Sequence, residues 1–451
     1  MKHSPINNVL ADTISGEWGV EPEDESGVKI IRTANFTNLG IIDFANIVLR
    51  KIEPKKIQQK KLITGDVIIE KSGGSPTQPV GRVVYFENPD NSTYLCNNFT
   101  TVLRPDKSVV FPKFLFYVLF YNHLTKKTLR FQNKTTGIIN LKLENYLNSK
   151  IPLPPLDDQI RIAAVLTCAE RLIAKRKESI KALDELLKST FLEMFGPNNP
   201  EFHKWPIVEI RGLAAAHKGA MRTGPFGSNL LHSAFTESGD VAVLGIDNAV
   251  QNKFAWGEKR FISKKKYSEL GNYRIFPGDV IITIMGTIGR SAVIPDDIPL
   301  AINTKHLAAI TVNHDLVNPH FLSYSIHSSP FIIDQFSRKN RGAIMNGLNL
   351  GLIKETKINK PPINLQNQFG SIILKVESIK TKQAHSLAEL ESLFGSLSQR
   401  AFKGELDLSR VPVVYVEAEP LETKAFSADV KVTKAFSKDE LINILKAKAV
   451  R

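Results

Sequence analysis

The chain has 451 residues, more than one ordinary core can organise, so two or three domains are expected. Apolar residues make up 42% and charged residues 23%, the balance of a soluble globular protein. A net charge of +14 favours an anionic partner, nucleic acid before an anionic membrane, with plain solubility as the bland alternative.

The N-terminus, "MKHSPINNVLADTISGEWG", has no long apolar run, so a signal peptide is not expected. No stretch of about 18 uninterrupted apolar residues occurs, so no membrane span is expected. "EPEDES" reads as a solvated loop, and "VKIIRTANF" carries the polar residues Arg32 and Asn35. "GDVII" (Gly65 to Ile69) is a short apolar strand that runs into a glycine loop with Lys71, Ser72, Gly73, Gly74, Ser75, Thr77, Gln78 and Arg82. The glycines supply positive φ for tight turns, which alone could explain them. Small polar residues closed by an arginine also suit phosphates, while Gln, Asn and Arg suit base edges. Cys96 opens "CNNFT", which carries Asn97 and Asn98. It and Cys168 are the only cysteines, too few for a disulfide framework or a four-cysteine zinc site, and they point to a reduced, cytoplasmic setting. "RFQNKTTG" adds Lys134.

"IPLPPLDDQ" is an extended Pro-Pro connector entering a helix. Ile162, Leu166, Ala169, Ile173, Ile180, Leu183, Leu187 and Met194 then step by fours and threes, with Arg176 and Thr190 in the gaps. That is a heptad seam. "GPNNP" at residue 196 stops it.

Beyond this stop the chain begins a second copy of the first half. Asn35 aligns with Asn248 and Gly65 with Gly278, both at an offset of 213. Past the glycine loop Arg82 aligns with Arg290 and Pro112 with Pro319, so one short insertion or deletion separates the registers. The copy contributes "MRTGPFGSN" (Arg222, Thr223, Gly224, Phe226, Ser228), the loop residues Thr287 and Arg290, Lys305 of "INTKH", and Arg338, Lys339 and Arg341 of "SRKNRGAIMNG". "NKPPINLQNQ" again leads into a seam: Phe369, Ile373, Val376, Leu387, Leu390, Phe394, Leu397 and Ala401, interrupted by Lys380 and Gln383. Either the two seams bury each other as an antiparallel coiled coil, or each helix packs on its own domain; the narrow stripe favours the former. Arg176, Lys380 and Gln383 are expected to fix register. The two copies share apolar positions and differ in their polar loops, as expected of one scaffold carrying two readout surfaces.

Catalytic signatures are missing. There is no G-x-x-x-x-G-K-[ST], no G-x-G-x-x-G and no H-E-x-x-H. "PDDIPLAINTK" has Asn303 where a nuclease would need a carboxylate for Mg2+. His306 reads as a surface or packed histidine. No catalytic and no metal-binding residue is expected.

These features resemble the DNA specificity subunit of type I restriction–modification systems. The resemblance rests on "IPLPPLDDQIRIAAVL…LDELLKSTFLEMFG", on "GDVII" with its glycine loop in both halves, on "TGPFGS" and on "SLSQRAFKGEL". It implies a mixed α+β fold: target-recognition domains at 1–150 and 197–357, spacer helices at 151–196 and 358–404 forming an antiparallel coiled coil, and a tail at 405–451. It also implies a non-catalytic subunit in which each domain reads half of a bipartite, asymmetric double-stranded DNA target through the major groove. The helices would set the gap between the half-sites and dock two methyltransferase subunits, and restriction subunits would join them. S-adenosylmethionine, ATP and Mg2+ would belong to those partners, with no cofactor on this chain. One departure is "NKPPINLQNQ", which lacks the acid that the family more often places before the glutamine. A free-standing DNA-modifying enzyme and a tandem scaffold are the alternatives.

Overall fold

A computed structural model describes residues 1–24, 26–135, 138–340 and 347–412. The principal helices are α1 (Pro112–Leu124), α2 (Leu156–Phe195), α3 (Pro319–Ser328) and α4 (Ile363–Lys403). The described residues form two compact units, one of residues 1–177 with 385–412, the other of residues 178–384. Each long helix therefore gives half its length to each unit.

In the first unit β1 (Leu10–Ser15), β2 (Val67–Glu70), β3 (Val83–Tyr85) and β4 (Thr100–Pro105) form an antiparallel sheet in the order β1-β4-β2-β3. Every residue of "VII" in β2 is buried, because both faces of the sheet are covered. Val67 and Ile69 face the helices, with α1 and the first half of α2 behind them. Ile68 faces a second, three-stranded sheet, in which Val28–Ile31 lies between antiparallel Val48–Arg50 and parallel Tyr94–Cys96.

The second unit repeats the plan with β5 (Met221–Thr223), β6 (Val280–Thr283), β7 (Ser291–Val293) and β8 (Leu307–Ile310), ordered β5-β8-β6-β7. Val280 and Ile282 face α3, and Ile281 faces this unit's own second sheet, in which Val241–Leu244 runs parallel to Ala301–Asn303. The "GD" before each repeated strand has one structural job. Gly65 and Gly278 take φ of +104° and +76°, where an L side chain would be strained. Asp66 and Asp279 accept from the backbone N–H of Ile63 and Phe276, both at 2.9 Å. Each aspartate is fully buried and paired with an arginine, but from different strands: Arg104 of β4 at 2.8 Å for Asp66, and Arg222 of β5 for Asp279.

Another repeated clamp holds the Pro-Pro connectors. Gln159 accepts from the Phe111 N–H at 2.8 Å and donates to the Pro154 carbonyl at 2.9 Å. Gln366 accepts from the Asn318 N–H at 3.0 Å and donates to the Pro361 carbonyl at 2.8 Å. Both glutamines are buried, and each ties the start of a long helix to the start of α1 or α3.

Both expectations for the helices hold within each unit. In the first, Ile162, Leu166, Ala169 and Ile173 pack with Leu390, Leu397 and Ala401, and with Phe114 and Tyr117 of α1. Leu387 and Phe394 lie at the edge of that core. In the second, Phe369 and Ile373 meet the end of α2. The buried residues there are Phe191 and Phe195, however, while Met194 is peripheral. The ring centroids of Phe195 lie 4.7 Å from Phe321 and 5.3 Å from Phe369, so a domain helix, as well as the partner helix, claims this face. Ile180 and Leu183 are half-buried, and Leu187 and Val376 are buried. Among the polar seam positions, Lys380 bonds Asp184 at 2.7 Å and Glu377 at 2.9 Å, and Lys253 reaches Glu377 at 2.7 Å. Burial pushes the Glu377 carboxyl up, but these two lysines outweigh it and hold it below its usual value.

Gly404, at φ +75°, ends α4, and the chain folds back. Leu406 and Val411 enter the first unit's core, and Arg161 donates to the Val411 carbonyl at 3.1 Å. The tail from residue 413 lies outside the described residues.

Candidate nucleic-acid interface

In each unit, loops converge where the repeated strand ends. In the first, the backbone N–H groups of Lys71 and Ser72 donate to the Phe99 carbonyl at 2.9 and 3.2 Å. The glycine loop is therefore stitched to the Asn97–Phe99 turn. Ser72–Gly74 also pairs with Ile138–Leu141, the second strand of a hairpin that begins with Gln132–Thr135. The Ser72 hydroxyl lies 2.5 Å from Asn140 Oδ1. Gly73 has φ +95°, and Gly74 lies so close to Val80 that a Cβ would come within 2.7 Å of its Cγ1. Ser75 and Gln78 close a turn through mutual backbone hydrogen bonds of 2.9 and 3.1 Å. Thr77, Gln78 and Asn98 are exposed. Lys71 reaches the Ser15 hydroxyl at 3.3 Å, and burial lowers its ammonium pKa.

Other expected contact residues face inward. Asn35 is buried: its Oδ1 accepts from the Arg32 N–H at 2.9 Å and its amide donates to the Asp43 carbonyl at 3.0 Å. Arg32 itself donates to the Asn46 carbonyl at 3.0 Å. Asn248 repeats this arrangement, accepting from the Gly245 N–H at 2.8 Å and donating to the Ala255 carbonyl at 2.9 Å. Arg82 forms a two-pronged pair with Glu70, both bonds at 2.8 Å, and caps the Thr33 and Phe36 carbonyls at 3.1 Å. Arg222 is buried against Asp279. Asn97 is buried as well.

In the second unit the converging segments are Thr223 to Phe226, Ile284 to Arg290 and Thr304 to His306. Phe226 is 58% exposed, and Thr287, Arg290 and Lys305 are exposed. Arg290 contributes backbone to the loop, its N–H donating to the Thr283 hydroxyl at 3.0 Å, while its side chain stays free of the role that Arg82 plays. Beside these loops lies a cleft of about 680 Å³, lined in part by Gly227, Arg260, Thr287, Thr304, Lys305 and His306. Arg338 is exposed on Pro330–Asn340 and pairs with Asp334 at 2.8 Å; Phe336 of that helix packs near Gly289. The side chains of Lys134, Ser228 and Lys339, and Arg341 entirely, lie outside the described residues.

Two repeated features escaped the sequence reading. A Cβ on Gly16 would fall 1.8 Å from the Asn97 carbonyl oxygen, and one on Gly224 2.1 Å from that of Asn303. These glycines let the end of β1 and of β5 press on the adjoining loop; their spacing of 208 matches that of Arg82 and Arg290. The second feature is a short lysine-bearing helix, Pro54–Lys60 and Lys264–Leu270. Lys51, Lys55 and Lys61 are exposed around the first, and Lys264 and Lys265 on the second. Among the described residues no group of acids, histidines and cysteines could hold a metal ion, and no helix is long and apolar enough to cross a membrane.

The type I restriction modification DNA specificity domain matches residues 13–182 and again 204–392, the two halves of the repeat. Over 410 residues the chain is 28% identical to the EcoBI specificity subunit of Escherichia coli, covering 84% of this chain and 85% of that one. It is 25% identical over 230 residues to the MjaVIII specificity subunit of Methanocaldococcus jannaschii, a match spanning 47% of this chain and 52% of the relative. The crystal structure of the type I restriction–modification S subunit from M. genitalium shares the fold, with a TM-score of 0.53 at 15% identity over 89% of this chain and 96% of that one. With two matched domains on a duplicated mixed α/β scaffold, the chain belongs to the type I restriction–modification DNA specificity family, as its non-catalytic recognition subunit.

Proposed function

We propose that each unit presents its converging loops to one half of a bipartite, asymmetric double-stranded DNA target. The observation that carries this is a scaffold repeated down to Asp66/Asp279 and Gln159/Gln366 whose exposed loop residues differ: Thr77, Gln78 and Asn98 in one unit, Phe226, Thr287, Arg290 and Lys305 in the other. Exposed polar side chains on rigid loops can reach base edges. Asn35, Asn248, Arg82 and Arg222 set loop shape from beneath. The lysine helices suit phosphate contacts, which position without specifying.

On this reading α2 and α4 offer their outward faces, with exposed Leu186, Leu374 and Ile379, to two methyltransferase subunits. Restriction subunits join through the same complex. S-adenosylmethionine, ATP and Mg2+ act on those partners, in the cytoplasm. Methylation mapping of host DNA with and without the chain tests the assignment. Methylated sites should vanish without it, and exchange of residues 1–150 for those of a relative should alter one half-site. Methylation by the purified chain alone, or a change in both half-sites, would overturn it.

A further inference from the structure

The cleft of the second unit combines an apolar wall with a set of ionisable groups whose balance can be read directly. Leu230, Leu231, Phe235, Ile246 and Val250 form the wall. The ionisable lining is His232, Asp247, Glu258, Arg260, Lys305 and His306. Arg260 donates to Asp247 and lies 3.7 Å from Glu258, while the Glu258 N–H donates to Asp247 at 2.8 Å. These three form an internal triad. Lys305 is exposed on the loop that closes the cleft. The two cations and two carboxylates cancel formally, so protonation of His306 makes the cleft cationic.

We infer that this cleft is a binding site for the sugar–phosphate backbone of DNA, with Lys305 and His306 as its anion-receiving groups and with proton uptake at His306 coupled to binding. The inference rests on the DNA-recognition reading above and adds to it a named site in one unit. The apolar wall fits the hydrophobic edge of a deoxyribose; the cations fit the phosphate. A base-reading pocket would need fixed donors and acceptors, whereas the fixed charges here are already spent on one another. Thr304 supplies one buried hydroxyl oxygen without a partner on the same wall. In the free protein, burial first, and then Lys305, His232 and Arg260, hold the His306 imidazole below its ordinary value. A phosphate beside it reverses the local charge and favours the protonated ring, so binding takes up a proton. Affinity must then rise as pH falls through the histidine range.

Backbone contacts need no target sequence, so a short random-sequence duplex and the full-length chain suffice. At constant ionic strength, the wild type should bind at least about threefold more tightly near pH 6 than near pH 8. The variant His306→Gln should lose most of that gain. Lys305→Gln should lower the slope of log affinity against log salt by about 0.9, the loss of one phosphate contact. Thermal melts of each variant confirm that the fold is kept. Full pH dependence in His306→Gln, or an unchanged salt slope in Lys305→Gln, would overturn the inference while leaving DNA recognition standing. Failure of the wild type to bind the duplex at any salt would overturn both.

Discussion

At the residue scale, the division of labour runs against residue type. Most of the arginines and asparagines that look best suited to DNA are occupied within the protein, while Gln78, Asn98, Phe226, Arg290 and Lys305 are exposed. Arg222 shows why. It is enclosed beside a fully buried carboxylate, and its guanidinium also donates to the Arg274 carbonyl at 2.8 Å and the Thr311 hydroxyl at 2.9 Å. Removing one partner of such a pair leaves a charge without compensation. Arg222→Met should therefore cost about 3–5 kcal/mol of stability, measured by urea unfolding, whereas Arg290→Met, at an exposed side chain, should cost less than about 0.5 kcal/mol. Equal costs would place Arg222 outside the structural role given to it. Sequence alone pairs Arg82 with Arg290, yet one is locked to Glu70 and the other is solvated, because the position aligned with Glu70 is Thr283, which offers no acid.

At the element scale, most of the architecture was legible and the reasons are specific. "GDVII" announced its strand because a continuous apolar run bounded by a turn can be a strand covered on both faces. The seams were legible as periodicity, but Phe191 and Phe195 lie outside the strict two-per-heptad pattern and were passed over in favour of Met194. A helix that packs on a helix and on a domain needs a wider stripe than a coiled coil does. The glutamines after the Pro-Pro connectors were visible as repeated letters, but their role depends on which loop ends arrive beside them. The lysine helices carry no apolar periodicity, so pattern reading had no hold on them. Their proposed role makes a separable prediction. Replacing Lys51, Lys55 and Lys61 together with Gln should reduce the salt slope of DNA binding by roughly 2–3 and weaken all sequences alike. A loss confined to one target sequence would instead assign them to base reading.

At the scale of the whole molecule, the two units keep separate cores. The first gathers Ile162, Leu166, Leu390 and Leu397 around α1, and the second gathers Phe195, Phe321 and Phe369 around α3. Core truncations should thus act locally. Phe195→Ala should destabilise the second unit by about 3–5 kcal/mol and Leu397→Ala the first by about 2–5 kcal/mol. Hydrogen exchange that reports each unit by its own peptides should show loss of protection in the expected unit; equal loss in both would show that the cores act as one.

The composition of the first unit has a consequence in time. The second unit is continuous in sequence, from residue 178 to 384, whereas the first needs residues 1–177 together with residues 385–412. Domains usually fold in the order of synthesis. Here the N-terminal domain leaves the ribosome first but is completed last, because Leu390, Leu397 and Val411 are among its final core residues. Until they arrive, the apolar face of the first half of α2 is without its partner helix. The nascent chain thus passes through a stage in which its later-made half is finished and its earlier-made half is still waiting.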